Sequence, residues 1–190
     1  TKILQTLGVN QMFPLPEGWI DDPCIEKIQK ELLGIIKNQV NKASTIWGVK
    51  DPRFTMFLPM WHSIFNRAKV IPHYILAVRE PASVVRSMKM QYNTRESLAE
   101  LYWMQQNCDA LHNTGGNCFI VHYEEWFDKS TEIAEELANY TGLVKHLPGN
   151  ITDVLTDIIR PEQNRAVYND YVIQNDNVIR LYDVLKECRN

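Results

Sequence analysis

Apolar residues recur at three- and four-residue spacing along residues 24–40, at Ile25, Ile28, Leu32, Leu33, Ile36 and Val40, which predicts an amphipathic helix. The opening "TKILQTLGVN" reads as the inside of a helix whose Leu4 and Leu7 face a core. "STIWGVK", residues 44–50, then predicts a strand. "FTMFLPMWHSIF", residues 54–65, predicts a helix with Pro52 just inside its start, where a missing N–H costs nothing. "PHYILAV" is a near-continuous apolar run ending at Arg79, the pattern of a strand covered on both faces. "PASVVRSMKM" predicts a helix with Pro at its beginning, and residues 95–113 a long helix. "NCFIVHY" predicts a third buried strand, and "STEIAEELANYTGL" a helix from an N-capping Ser130 to a stop at Gly142.

Strand and helix alternating in this way predict an α/β fold, a three-layer sandwich with a central parallel sheet. Ligands bind such sheets at the carboxyl ends of the strands, where the following helices present free N–H groups. Lys50, Arg79 and Tyr123 each stand at such an end, so two cations and a ring are expected on one rim.

Composition narrows the classes. The 190 residues carry a formal charge of −3, within the size of a single domain, residues 1–190. The sequence pI near 5.9 argues against a general nucleic-acid or membrane-surface binder, so any anion site is local. No apolar run approaches the ~20 residues of a membrane span, and no apolar signal-like segment opens the chain. Cys24, Cys108, Cys118 and Cys188 are scattered without metal-binding spacing, which predicts reduced thiols and a cytoplasmic location. Sequons at Asn139 and Asn150 keep a secretory-lumen alternative open.

Candidate chemistry centres on "VREPASVVRSM". A guanidinium fork at Arg79 can hold a phosphate through two hydrogen bonds, and the hydroxyl of Ser87, eight residues on, can add a third from the returning helix. Ser83 shares that helix face. The plainer alternative gives Arg79 a surface ion pair and Ser87 a bond to its own backbone.

The ordered set "WGVKDPR", "LPMW", "ILAVREPASVVRSM", "LAELYWMQQN", "FIVHYEEW" and "LANYTGL" resembles the bacterial-type sulfotransferase family, which uses 3′-phosphoadenosine-5′-phosphosulfate (PAPS). The segments "LGVN", "EGWIDDP" and "LYDVLKE" resemble it in the same order. The resemblance spans nearly the whole chain and implies a P-loop NTPase-like sulfotransferase fold. It implies that Arg79 and Ser87 bind the 3′-phosphate of the nucleotide, that Tyr123 lies near the adenine, and that Lys50 stands beside the transferred sulfuryl group.

A fixed ammonium there suits the chemistry independently, because negative charge builds on the bridging oxygen as the sulfuryl group leaves. Asp21 takes the place of the family's acidic residue and is the expected general base for a hydroxyl or amine acceptor on a small molecule or glycan. Asp22 is instead a candidate N-cap, and His62 an alternative base. Asp51 and Pro52 are expected to shape the turn, with Arg53 pairing to Asp51 or Asp22. No metal is expected, since His62, His73, His112, His122 and His146 show no ligand spacing.

The family's Gly/Arg/Ser/Thr-rich loop for the 5′-phosphosulfate is expected upstream of Thr1. "DIIRPEQNRAVYNDY" offers Arg160 or Arg165 as a further phosphate contact, against a solvated helix end and loop. Two other classes remain beside the sulfotransferase: a P-loop kinase, disfavoured by Arg79 where a magnesium-holding acid is needed, and a non-catalytic 3′-phosphoadenosine-binding or interaction domain.

Overall fold

The computed structural model describes residues 2–42, 47–163 and 170–188. In chain order the elements are α1 (Lys2–Leu7), α2 (Pro23–Lys42), α3 (Phe54–Ala68), β1 (Ile75–Val78), α4 (Pro81–Tyr92), α5 (Glu96–Thr114), β2 (Phe119–His122), α6 (Ser130–Thr141), α7 (Ile151–Ile158) and α8 (Asp176–Glu187), with short 3-10 turns between some of them. The chain is an α/β protein, mostly helical, with a small parallel sheet of β1 and β2. Among the described residues no helix is long and apolar enough to cross a membrane.

Two compact units are distinguished: Thr1–Pro72 with Cys108–Gly116, and His73–Asn107 with Asn117–Asn190. In the first, Ile25, Ile28, Leu33 and Ile36 of the predicted α2 stripe are buried, packing with Met56, Met60 and Ile64 of α3 and with Ile3 and Leu4 of α1, while Leu32 is half-buried and Val40 exposed. Each such fully buried side chain contributes at most about 1.5–3 kcal/mol, because an unfolded chain already hides part of that area. Asp22 caps α2, its Oδ1 accepting the Cys24 N–H at 2.7 Å. Pro59 sits inside α3 and cannot donate to the Thr55 carbonyl one turn back. Asn113 supplies the missing donor, its Nδ2 lying 2.9 Å from that oxygen.

Several expectations are corrected. Of the strand expected over residues 44–50, residues 44–46 lie outside the described residues, and Trp47–Lys50 form no regular element. Trp47 packs on the core, but Gly48, Val49 and Lys50 are exposed, so the apolar alternation there meets no ladder. Pro52 precedes the helix, which begins at Phe54 with Arg53 in the N-cap position. Ser130 is the first residue of α6 and Lys129 its cap, without a side-chain bond. Gly142 ends that helix as expected, in the left-handed region at φ 72°.

In the second unit β1 and β2 run parallel in the register Ile75↔Phe119, Leu76↔Ile120, Ala77↔Val121 and Val78↔His122. All of β2 is buried, and Phe119 and Val121 pack with Ile133 of α6. β1 differs from the two-sided burial expected, because Ile75 and Ala77 are exposed and only Val78 is buried. The C-terminal helix α8 is anchored by Val178 and Leu185, both without exposed surface.

Candidate functional site

The register fixes the site. Val78 and His122 are the last aligned pair, so the next residues, Arg79 and Tyr123, leave the sheet together at its carboxyl edge. The Arg79 guanidinium carbon lies 4.5 Å from the centroid of the Tyr123 ring. That is a cation–π contact. Tyr123 is held from another side by Phe127, edge-on at 5.3 Å. Both Arg79 and Tyr123 are half-buried.

The backbone leaving β1 is held by side chains. Trp103 of α5 donates its indole Nε1–H to the Arg79 carbonyl at 2.9 Å. The next N–H, that of Glu80, donates to Oε1 of Glu124 at 3.0 Å. Ser83 donates its hydroxyl to Oε2 of Glu80 at 2.7 Å, within the first turn of α4, which starts with Pro81 at N1. Ser83 is therefore buried and engaged with the Glu80 carboxylate. Ser87, one turn further along α4, is half-buried.

Behind this edge, α8 contributes Tyr182, edge-on to Trp103 at 6.0 Å and to His122 at 6.2 Å. Burial, with the carboxylates of Glu124, Glu80, Asp183 and Glu125, pushes the Tyr182 phenol up to about 12. His122 is buried and its Nε2 lies 3.3 Å from the Leu185 carbonyl, so that nitrogen carries the proton.

Lys50, Asp21, Asp51, Arg53 and His62 belong to the first unit. Lys50 is exposed in the irregular Trp47–Lys50 stretch, and Asp21 is exposed at the end of a 3-10 turn, Trp19–Asp21. Arg53 pairs with Asp51 in a two-pronged contact, Nε to Oδ1 at 2.8 Å and Nη2 to Oδ2 at 2.5 Å. The guanidinium holds the Asp51 carboxyl below the usual carboxylate range. His62 is half-buried on α3. Arg160 is exposed just past α7, and Arg165 lies outside the described residues. No group of three or more His, Cys, Asp or Glu among the described residues could hold a metal ion.

Two residues of α5 were not singled out by the sequence reading. One is Trp103. The other is Glu100, only 2 % exposed, which accepts the Tyr171 hydroxyl at 2.6 Å and the backbone N–H groups of Gln174 and Asn175 at 2.9 and 3.0 Å. Burial, followed by the Glu100 carboxylate, pushes the Tyr171 phenol up to about 12. Neither Trp103 nor Glu100 left a signal in residue spacing, because their partners lie 24 and 71 residues away. No protein-family model, curated protein or solved structure matches the chain.

Proposed function

We propose that the protein is a PAPS-dependent sulfotransferase that moves a sulfuryl group to a hydroxyl or amine of a small molecule or glycan in the cytoplasm. The observation that carries this reading is the pairing of Arg79 with Tyr123 at the carboxyl edge of a parallel strand pair, 4.5 Å apart. A guanidinium there matches a phosphate monoester, and an adjacent ring offers a face to the base of the same nucleotide. The helix that follows, α4, turns its N-terminal end toward the same edge, where an anion is favoured.

In this reading Arg79 and Ser87 bind the 3′-phosphate and Tyr123 the adenine. Lys50 stabilises charge on the departing bridging oxygen, and Asp21 takes the acceptor's proton. The fold implied is the three-layer sandwich with a central parallel sheet, of the P-loop NTPase-like sulfotransferase kind.

Thermal unfolding with adenosine 3′,5′-bisphosphate, with ATP and magnesium, and without ligand tests it. The bisphosphate is expected to raise the melting temperature, by the equivalent of about 2.7 kcal/mol at a hundredfold excess over its Kd, and Arg79→Ala to abolish the rise. Stabilisation by ATP and magnesium alone would replace the reading with a kinase, and indifference to both would replace it with an interaction domain.

A further inference from the structure

We infer that Trp103 is a positioning residue for Arg79, acting by a side-chain clamp on a single peptide group. The carbonyl of Arg79 and the N–H of Glu80 belong to the same planar peptide unit. The first is held by Trp103 Nε1 at 2.9 Å and the second by Glu124 Oε1 at 3.0 Å. Both ends of that plane are thus gripped, from positions 24 and 44 residues away in sequence.

The clamp sits where the ladder stops. Val78 is the last residue of β1 aligned with β2, so beyond it strand pairing no longer sets the direction of the backbone. Fixing the Arg79–Glu80 plane fixes ψ of Arg79 and with it the direction in which the guanidinium leaves. Glu124 is the neighbour of Tyr123, so the bond that holds one end of the plane also ties down the segment carrying the ring.

Trp103 itself has little freedom. It is 4 % exposed, its carbonyl accepts the Asn107 Nδ2–H at 2.8 Å, and its ring meets Tyr182 edge-on. An indole N–H buried in this way finds a partner, and here the partner is the one carbonyl that aims Arg79. Trp103 carries no charge, so changing it leaves the electrostatics of the edge alone, whereas changing Glu124 would not.

This deepens the sulfotransferase reading, on which its meaning for nucleotide binding rests, while the geometric claim stands on the clamp. The test compares wild type, Trp103→Phe and Arg79→Ala by titration with adenosine 3′,5′-bisphosphate, with the Arg79 Nε–H signal of wild type and Trp103→Phe followed by NMR. Trp103→Phe keeps a ring and removes the donor. It is expected to weaken binding about five- to tenfold, the scale of one hydrogen bond, and to shift the Arg79 Nε–H signal away from the field of the Tyr123 ring.

Unchanged affinity in Trp103→Phe, where Arg79→Ala destroys binding, would overturn the inference and spare the sulfotransferase reading. A loss in Trp103→Phe that leaves the Arg79 Nε–H signal unmoved would overturn it as well. If wild type binds no bisphosphate, the sulfotransferase reading falls, and the NMR signal alone decides the clamp: a shift in Trp103→Phe supports it and an unmoved signal overturns it. Should Trp103→Phe fail to fold, benzothienylalanine at position 103, which replaces only the N–H by sulfur, gives the same readouts.

Discussion

Two joints of this chain lead into a helix through the same order of residues: a cation, an acid and a proline. At Lys50-Asp51-Pro52 the acid is satisfied locally, by the side chain and the backbone N–H of Arg53, and the cation is exposed. At Arg79-Glu80-Pro81 the acid is again satisfied locally, by Ser83, but the backbone is held from far away by Trp103 and Glu124 and the cation rests on Tyr123. Similar local chemistry therefore yields an exposed turn in one place and an oriented guanidinium in the other. Long-range partners make the difference, since an exposed ion pair contributes little and orients little.

The contrast sets an order of expected effects. The largest belongs to the most remote hold, that of Glu100 on the segment 171–175. Glu100→Ala leaves two backbone N–H groups and a phenol without their acceptor and should destabilise the protein by about 3 kcal/mol in chemical denaturation. A loss of only a few tenths would mean that remote holds are no stronger than local ones.

An intermediate effect is expected at the Arg79 joint. Glu124→Ala removes the acceptor of the Glu80 N–H and should cost about 1–2 kcal/mol, with Glu124→Gln losing less because its amide oxygen can still accept. Equal losses in the two variants, measured by urea midpoints, would assign the effect to charge instead of the hydrogen bond.

The smallest belongs to the Lys50 joint. Asp51→Asn should cost about 0.5–1 kcal/mol at neutral pH, the scale of a partly exposed pair. Because Arg53 lowers the Asp51 carboxyl in the folded state, acid protonates it first in the unfolded chain. Its contribution is therefore present above the ordinary carboxylate pKa of about 3.9 and is lost as the pH falls through the lower folded value. The gap between wild type and Asp51→Asn should close below about pH 4, and a gap that widened there would contradict the pairing.

The same division separates what was legible in the sequence from what was not. The helices α2 and α4–α6, the two strands and the strand-end position of Arg79 and Tyr123 follow from periodicity and from Pro and Gly signals, which are local. The Arg53–Asp51 pair was one of two expected partners because it spans only two residues. Within the strand expected over 44–50, Trp47 and Val49 alternate as a strand would, yet among the described residues no neighbour pairs with Trp47–Lys50. The roles of Trp103 and Glu100 were not legible, because a partner 24 or 71 residues away leaves no mark in spacing.

The two strands run in step and in the same direction, so the meeting of Arg79 with Tyr123 is a matter of counting more than of composition. Residues inserted between α4 and α5, or in the turn after Thr114, are expected to leave it undisturbed. One residue deleted inside the four-residue Phe119–His122 would bring Glu124 to the place of Tyr123, and a carboxylate would meet the guanidinium where a ring now lies. Length variation in natural versions of this chain is accordingly expected to spare these eight positions and to gather in the connections.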